Sequence, residues 1–359
     1  MKRTRPRPLR SSSSSRDESK EEDDASPGAG LILDVGWDKE AKESFDVVNN
    51  VFVQNGMAIH PTGLAFQYSP KAFEVDPEDI EFGEIIGRGA SSYVQRAVHV
   101  PSRTQLALKV INIYDKTKRE QLIKEIRALY HTECPTVITF HGAYFREGAI
   151  TIALEYMNGG SLQNVVKQVG FIPEAALANI AFQILWGLAY LKHEKRVHRD
   201  LKPSNILINS LGETKLTDFG VSKDLQNSLA MCTTFVGTFK YMSPERMKNQ
   251  PYGYASDIWS LGIVLLECAT GVYPYSGVTA YIDMVQTVLD SPPPSLPPDS
   301  HERTYTYEFR QFLSQCLAKD PKKRLPPDVL LGSPWIVNNG ATTLSKAGNN
   351  TRRWIMEFE

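Results

Sequence analysis

The chain has 359 residues, 42% of them hydrophobic and 23% charged, with a formal net charge of -1 at pH 7. That balance is globular, leaves room for one two-lobed enzyme or two ordinary domains, and gives no electrostatic reason to expect nucleic acid as a partner. Cys134, Cys232, Cys268 and Cys316 stand far apart without a C-x-x-C pair, which excludes a zinc site of the usual spacing and reads as reduced thiols in a cytoplasmic or nuclear protein. No apolar run has the length of a membrane span, no secretory signal opens the chain, and Lys2 stands where myristoylation needs glycine.

Residues 1–30 are low-complexity. Lys2, Arg3, Arg5, Arg7 and Arg10 precede a run of serines, and Asp17 to Asp24 then reverse the sign. Such a stretch has almost nothing to bury and is expected to be a disordered, solvated tail. Only Leu9 is available beside the basic cluster as an apolar docking residue. Residues 31–78, with short apolar patches such as Val47-Val48-Asn49-Asn50-Val51-Phe52-Val53, read as an extension that packs loosely. The compact domain is expected over 79–336.

From 79 to about 156 the pattern is mostly strand-like, with Ile85-Ile86, Tyr93-Val94, Leu106 to Val110, and segments near 137–144 and 150–156. One helix interrupts it, at 119–130, where Leu122, Ile123, Ile126 and Leu129 recur at helical spacing. From about 157 to 336 the chain turns helical, at 173–193, 257–270, 281–289 and 308–317. The prolines at 292–294 and 297–298 demand a loop. Residues 337–359 read as a polar, Asn-rich tail. There is no internal repeat. The order implies an α+β protein, a small β-rich lobe joined to a larger α-helical lobe.

Ile86-Gly87-Arg88-Gly89-Ala90-Ser91-Ser92-Tyr93-Val94 lies between two strand patterns. Its glycines would let the backbone pass close over a triphosphate, although Ser92 replaces the third glycine of G-x-G-x-x-G, so alone it is a weak signal. Lys109 sits inside an apolar strand, where it is costly to bury without an acid. Glu125 on the following helix is the expected partner; Glu120 at the helix start is the alternative.

The most specific element is Val197-His198-Arg199-Asp200-Leu201-Lys202-Pro203-Ser204-Asn205, which fits H-R-D-x-x-x-x-N in full. Asp218-Phe219-Gly220 follows thirteen residues past Asn205. Together, in this order and spacing, these motifs closely resemble the protein kinase family over about 79–336. The resemblance implies the bilobal kinase fold, with ATP and Mg2+ as cofactors. Asp200 would orient the substrate hydroxyl, Lys202 would neutralise the moving phosphoryl group, and Lys109 would hold phosphates while paired with Glu125. Asn205 and Asp218 would bind magnesium, and Glu155 and Met157 would line the nucleotide site at the hinge. Tyr241-Met242-Ser243-Pro244-Glu245 stands in for A-P-E. Glu245 should then pair with Arg324, and Asp257 should brace the catalytic loop.

Glu155-Tyr156-Met157-Asn158-Gly159-Gly160-Ser161-Leu162 and Val236-Gly237-Thr238-Phe239-Lys240-Tyr241-Met242 look like the mitogen-activated protein kinase kinases. Ser228 and Thr234, separated by five residues, resemble the plant-type Ser-x5-Thr activation loop. Thr233 is an adjacent competitor, and Thr238 by resemblance faces the catalytic loop. Some members of the most similar plant subgroup carry a further C-terminal domain for which this chain is too short. The expected function is dual-specificity phosphorylation of Thr and Tyr in a downstream MAP kinase, switched on by an upstream MAP kinase kinase kinase at Ser228 and Thr234. Arg199, with Lys223, would be the counter-charge. Two rivals share these motifs: a serine/threonine kinase higher in the cascade, and a pseudokinase scaffold, against which the intact Lys109, Asp200, Asn205 and Asp218 speak.

Overall fold

The computed structural model describes residues 45–54, 56–67, 69, 73–89, 92–114, 116–218, 239–278, 280–301 and 303–357. Its first element is not the loosely packed extension expected over 31–78. Strands β1 (Asp46–Val48), β2 (Val51–Gln54), β3 (Met57–His60), β4 (Gly63–Phe66) and β5 (Phe73–Glu74) form an antiparallel five-stranded meander. Asn49 and Asn50 take φ of 51° and 63°, the paired left-handed residues of a type I′ turn, so a two-residue loop reverses the chain between Val48 and Val51. Phe52, Met57, Ile59 and Leu64 are fully buried in the same core as the small lobe. That burial is what overturns the reading of a loose extension.

The small lobe proper is the five-stranded sheet β6 (Ile80–Arg88), β7 (Ser92–His99), β8 (Thr104–Asn112), β9 (Phe140–Arg146) and β10 (Ala149–Glu155), in the order β6-β7-β8-β10-β9. Helix α1 (Lys116–Tyr130) is inserted between β8 and β9. Strand parity divides β8: Leu106 and Leu108 enter a small cluster with Ile80, Ala97 and Ala153, while Ile111 joins the main core with α1. Lys109 has the parity of Ile111. The meander lies over the edge strand β9, where Gly142 takes φ 151° and a Cβ would collide with Val75 Cγ2. Only glycine allows that close approach.

The large lobe carries α2 (Leu162–Val169), α3 (Glu174–His193), the two-stranded sheet β11 (Ile206–Ile208) and β12 (Thr214–Leu216), α4 (Tyr254–Thr270), α5 (Tyr281–Asp290), α6 (Tyr307–Cys316) and α7 (Leu344–Ile355). By length and composition α3 could cross a membrane, but it is apolar all round because it is the central helix of the core. Trp259, Phe309, Phe312 and Trp335 fill the core beside it, with Trp335 stacked on Phe309 at 4.4 Å between centroids.

The expected tail at 337–359 is also corrected. Thr343 caps α7 by accepting from Lys346 N–H, and Ala347, Thr351, Trp354 and Ile355 are buried on the face packed against α3. Asn350 Nδ2 donates to Asn179 Oδ1 at 3.1 Å, and Gln183 Nε2 donates to the Gly212 carbonyl at 3.1 Å. Gly212 has φ 78°, and a Cβ there would strike the Gly348 carbonyl and the Arg352 nitrogen. Gly212→Ala is therefore expected to destabilise the large lobe by roughly 1–3 kcal/mol. Calorimetry should show a lower melting midpoint; an unchanged midpoint would mean that α7 does not close on this turn.

Candidate active site

Lys109 faces α1 from the middle of β8, opposite Val94 of β7 and Ile152 of β10. Its Nζ lies 2.9 and 2.8 Å from the two oxygens of Glu125 and 2.5 Å from Asp218 Oδ1. Leu122, Ile126 and Leu129 turn Glu125 inward with them, and it is only 3% exposed. Glu120 instead pairs at 3.9 Å with Lys116 at the surface. The expected Lys109–Glu125 pair is thus formed, with Asp218 as a third member.

Burial, reinforced by the Asp218 charge, pushes the Glu125 carboxyl up to about 7, against the pull of Lys109. Burial alone would lower Lys109, but the two carboxylates outweigh it and hold its pKa above the ordinary lysine value. Burial is the largest single influence on Asp218 and would raise its carboxyl, but the charge and hydrogen bond of Lys109, with help from Glu125 and Lys202, together outweigh it and hold the carboxyl below the usual range.

The catalytic loop is fixed from behind. Asp257 Oδ2 accepts from His198 N–H at 2.8 Å and its Oδ1 from Arg199 N–H at 2.9 Å, the bracing expected of it. Arg199 and Asp218 have φ of 73° and 58°, a left-handed conformation that costs a non-glycine residue about 1 kcal/mol and persists only when neighbours impose it. Asp200 Oδ2 accepts from Lys202 Nζ at 2.8 Å and from Asn205 Nδ2 at 3.2 Å. Asn205 Nδ2 also donates to the Asp200 carbonyl at 2.9 Å, and the Asn205 carbonyl accepts Thr217 N–H at 3.1 Å. That last bond ties Asp218 to the loop.

Opposite lies the β6–β7 hairpin. Gly87 and Arg88 pair with Val94 and Tyr93, and Gly89 N–H donates to the Ser92 carbonyl at 2.7 Å. Ile86 is 44% exposed on this hairpin; Ala90 and Ser91 lie outside the described residues. At the hinge, the Glu155 carboxylate is committed to Lys215 Nζ at 2.7 Å and Thr139 N–H at 3.2 Å. Its side chain is therefore not free for a nucleotide. Met157 is buried, and its N–H has no hydrogen-bond partner among the described residues. A buried, unpaired main-chain donor is rare and fits an acceptor on a ligand ring.

Glu245 and Arg324 form the expected pair, bidentate at 2.7 and 2.8 Å, with Ser256 Oγ donating to Glu245 at 2.7 Å. Sequence reasoning missed Arg246 and Tyr252. Arg246 Nη1 donates to the Arg199 carbonyl at 2.5 Å, and the guanidinium groups of Arg199 and Arg246 lie 6.0 and 5.0 Å from the Tyr252 ring centroid. Neither cation has a carboxylate partner among the described residues. No sequence spacing announces this cluster, because it assembles only across the loop. Phe219, Gly220, Lys223, Ser228, Cys232, Thr233, Thr234 and Thr238 lie outside the described residues.

The protein kinase domain family matches residues 80–336. The chain is 48% identical over 258 residues to mitogen-activated protein kinase kinase 3 of Arabidopsis thaliana, covering 71% of this chain and 49% of that one. It is 46% identical over 266 residues to mitogen-activated protein kinase kinase SIPKK of Nicotiana tabacum, covering 72% and 73%. With a dual specificity mitogen-activated protein kinase kinase 1 of Dictyostelium discoideum the identity is 43% over 244 residues, 66% of this chain and 36% of that one. The chain thus spans about half the length of the Arabidopsis relative and about three quarters of the tobacco one. With the lysine–glutamate pair, the braced catalytic loop and these identities together, the chain belongs to the protein kinases, and within them to the mitogen-activated protein kinase kinases.

Proposed function

We propose that this kinase transfers the γ-phosphoryl group of Mg-ATP to the threonine and tyrosine of a MAP kinase activation loop. The observation that carries the catalytic reading is the contact of Lys109 with both Glu125 and Asp218. It gathers a phosphate-binding cation, its positioning acid and a metal-ligating acid beside a braced H-R-D loop. The names of the relatives support the substrate class, and dual specificity is printed for the Dictyostelium protein.

Lys109, positioned by Glu125, holds the α- and β-phosphates. Asp218 and Asn205 offer hard oxygen donors suited to a magnesium ion, which when bound offsets charge on the β- and γ-phosphates. Among the described residues Asn205 Oδ1 accepts only a long 3.4 Å contact from Ser204 Oγ, which leaves it available to a cation. Asp200 accepts the proton as the substrate oxygen bonds to the γ-phosphorus and the bond to the bridging β–γ oxygen breaks, releasing ADP. Lys202 sits beside Asp200 to neutralise the transferring group. Positioning and charge do most of the catalysis, as phosphoryl transfer demands.

Activation follows from charge. Phosphate on Ser228 and Thr234 adds about −1.5 to −2 units at each. Arg199 and Arg246 on Tyr252 receive that charge and order the loop; an upstream MAP kinase kinase kinase supplies it.

Five measurements test this reading. Incubating an inactive MAP kinase with ATP and the S228E/T234E variant should place phosphate on both threonine and tyrosine by mass spectrometry. Threonine alone would favour a kinase higher in the cascade, and Asp200→Asn should lose at least about 10²-fold in rate. Arg199→Ala should reduce the activation ratio, phosphorylated over unphosphorylated, to near one. For Glu125, whose carboxyl is pushed up to about 7, the anion that pairs with Lys109 is lost as pH falls. kcat/KM for ATP should therefore fall below about pH 7, and Glu125→Gln should show a low rate without that acid limb. Stability runs oppositely. A raised acid pKa contributes stability fully below the ordinary carboxyl value, and this is lost as pH rises through about 7. The melting midpoint of Glu125→Gln relative to the parent should accordingly improve between pH 5 and 8.

A further inference from the structure

The kinase domain match begins at residue 80, so the meander of residues 46–74 lies outside it, and no step of the phosphoryl transfer uses its side chains. Its strands pack mainly on the edge strand β9, and its side chains also reach across to the helix that carries Glu125. Near the start of α1, the Arg119 guanidinium lies 4.1 Å from the ring centroid of Phe45, which stacks on Phe52 at 5.3 Å. Two turns on, Arg127 Nη2 reaches toward the Gln54 carbonyl at 3.5 Å. At the end of the helix Tyr130 meets Phe66 at 4.3 Å and Phe73 at 5.4 Å, and its hydroxyl shares a 2.6 Å hydrogen bond with Ser69.

At 100° per residue, Arg119, Arg127 and Tyr130 fall within about 80° of one another around α1, and Glu125 points roughly 150° away from them. The helix is thus held between two walls, the meander on one side and Lys109 on the other. The meander is itself anchored on the edge strand: Phe73 meets Phe140 at 4.9 Å, Phe52 meets Phe145 at 6.0 Å, and Val75 fits against the bare Gly142. Burying the Glu125 carboxylate carries a desolvation cost, and an outward displacement of α1 would relieve it by returning the group to water. The meander occupies the space into which α1 would have to move.

We infer that the 46–74 sheet is a positioning element for α1, holding the helix inward so that Glu125 reaches Lys109. Phe66 and Tyr130 are positioning residues in this scheme, acting on ATP turnover only through Glu125. Catalytic rate then depends on a segment outside the kinase domain, and anything that loosens the segment lowers the rate without touching the site. The inference rests on the role given above to the Lys109–Glu125 pair, and not on the identity of the protein substrate.

The test uses the full chain carrying S228E/T234E and three further single variants of it. Phe66→Ala removes a half-buried ring while leaving the meander's own core intact, and Phe66→Leu keeps most of the apolar contact. Val165→Ala trims a buried residue of α2 in the large lobe, away from α1. Autophosphorylation and ATP hydrolysis are followed, because neither needs a MAP kinase, together with amide hydrogen exchange over α1 and α3. Phe66→Ala should lower kcat/KM for ATP by about tenfold and speed exchange in α1 but not α3. Phe66→Leu should recover most of the rate. Val165→Ala should stay within about twofold of the parent even where its melting midpoint falls as far. Equal losses in Phe66→Ala and Val165→Ala at matched midpoints would overturn the inference, as would unchanged α1 exchange in Phe66→Ala, or fast α1 exchange with a normal rate. A parent that turned over no ATP would refute the Lys109 reading, and the exchange arm would still decide whether the meander holds α1.

Discussion

Three charges, one positive and two negative, meet at Lys109 Nζ, and much of the molecule is arranged so that they can. They arrive from three elements of different origin: a strand, a helix inserted after it, and the end of a short sheet in the other lobe. Each arrival is imposed locally. Strand parity turns Lys109 toward α1. The apolar stripe of Leu122, Ile126 and Leu129 turns Glu125 inward. The left-handed backbone of Asp218, φ 58°, aims its carboxylate across the cleft. A buried and a half-buried acid sharing one lysine do not hold themselves together cheaply, since desolvation opposes each ionised form. The surrounding packing must supply what the charges do not.

The large lobe shows the same logic in its own ion pair. Arg324 is wholly enclosed, bound to both oxygens of Glu245 and lying 5.2 Å from the Trp259 ring centroid. Such a pair contributes little net stability but fixes one arrangement of the chain, because breaking it leaves a charge stranded. It anchors the segment after the activation loop, and from there Arg246 reaches the Arg199 carbonyl. The braced catalytic loop and the core of the large lobe are thereby one continuous piece.

The catalytic residues were legible in the sequence because their chemistry tolerates few substitutes and their spacing is set by a short loop. The division into lobes followed from strand and helix periodicities long enough to read. What escaped notice was short or assembled across space. The meander's strands run only two to four residues, too few to show alternation, although Asn49-Asn50 between two valines and the dipeptide Asn55-Gly56 are hairpin signals. Helix α7 was masked by its asparagines, yet Ala347, Thr351 and Trp354 recur at its buried spacing. The commitment of the Glu155 carboxylate to Lys215 was invisible, since the two lie sixty residues apart in sequence.

The docking of α7 on α3 also sets an order of events at the ribosome. The outer face of α3 waits for a helix encoded about 150 residues later. At 5–20 residues per second that is roughly 8 to 30 s of synthesis. Throughout that interval a twenty-residue, largely apolar helix lacks part of its cover, with Asn179 and Gln183 awaiting Asn350 and Thr351. The nascent large lobe is thus a natural client for chaperones, and its folding closes from the carboxyl side.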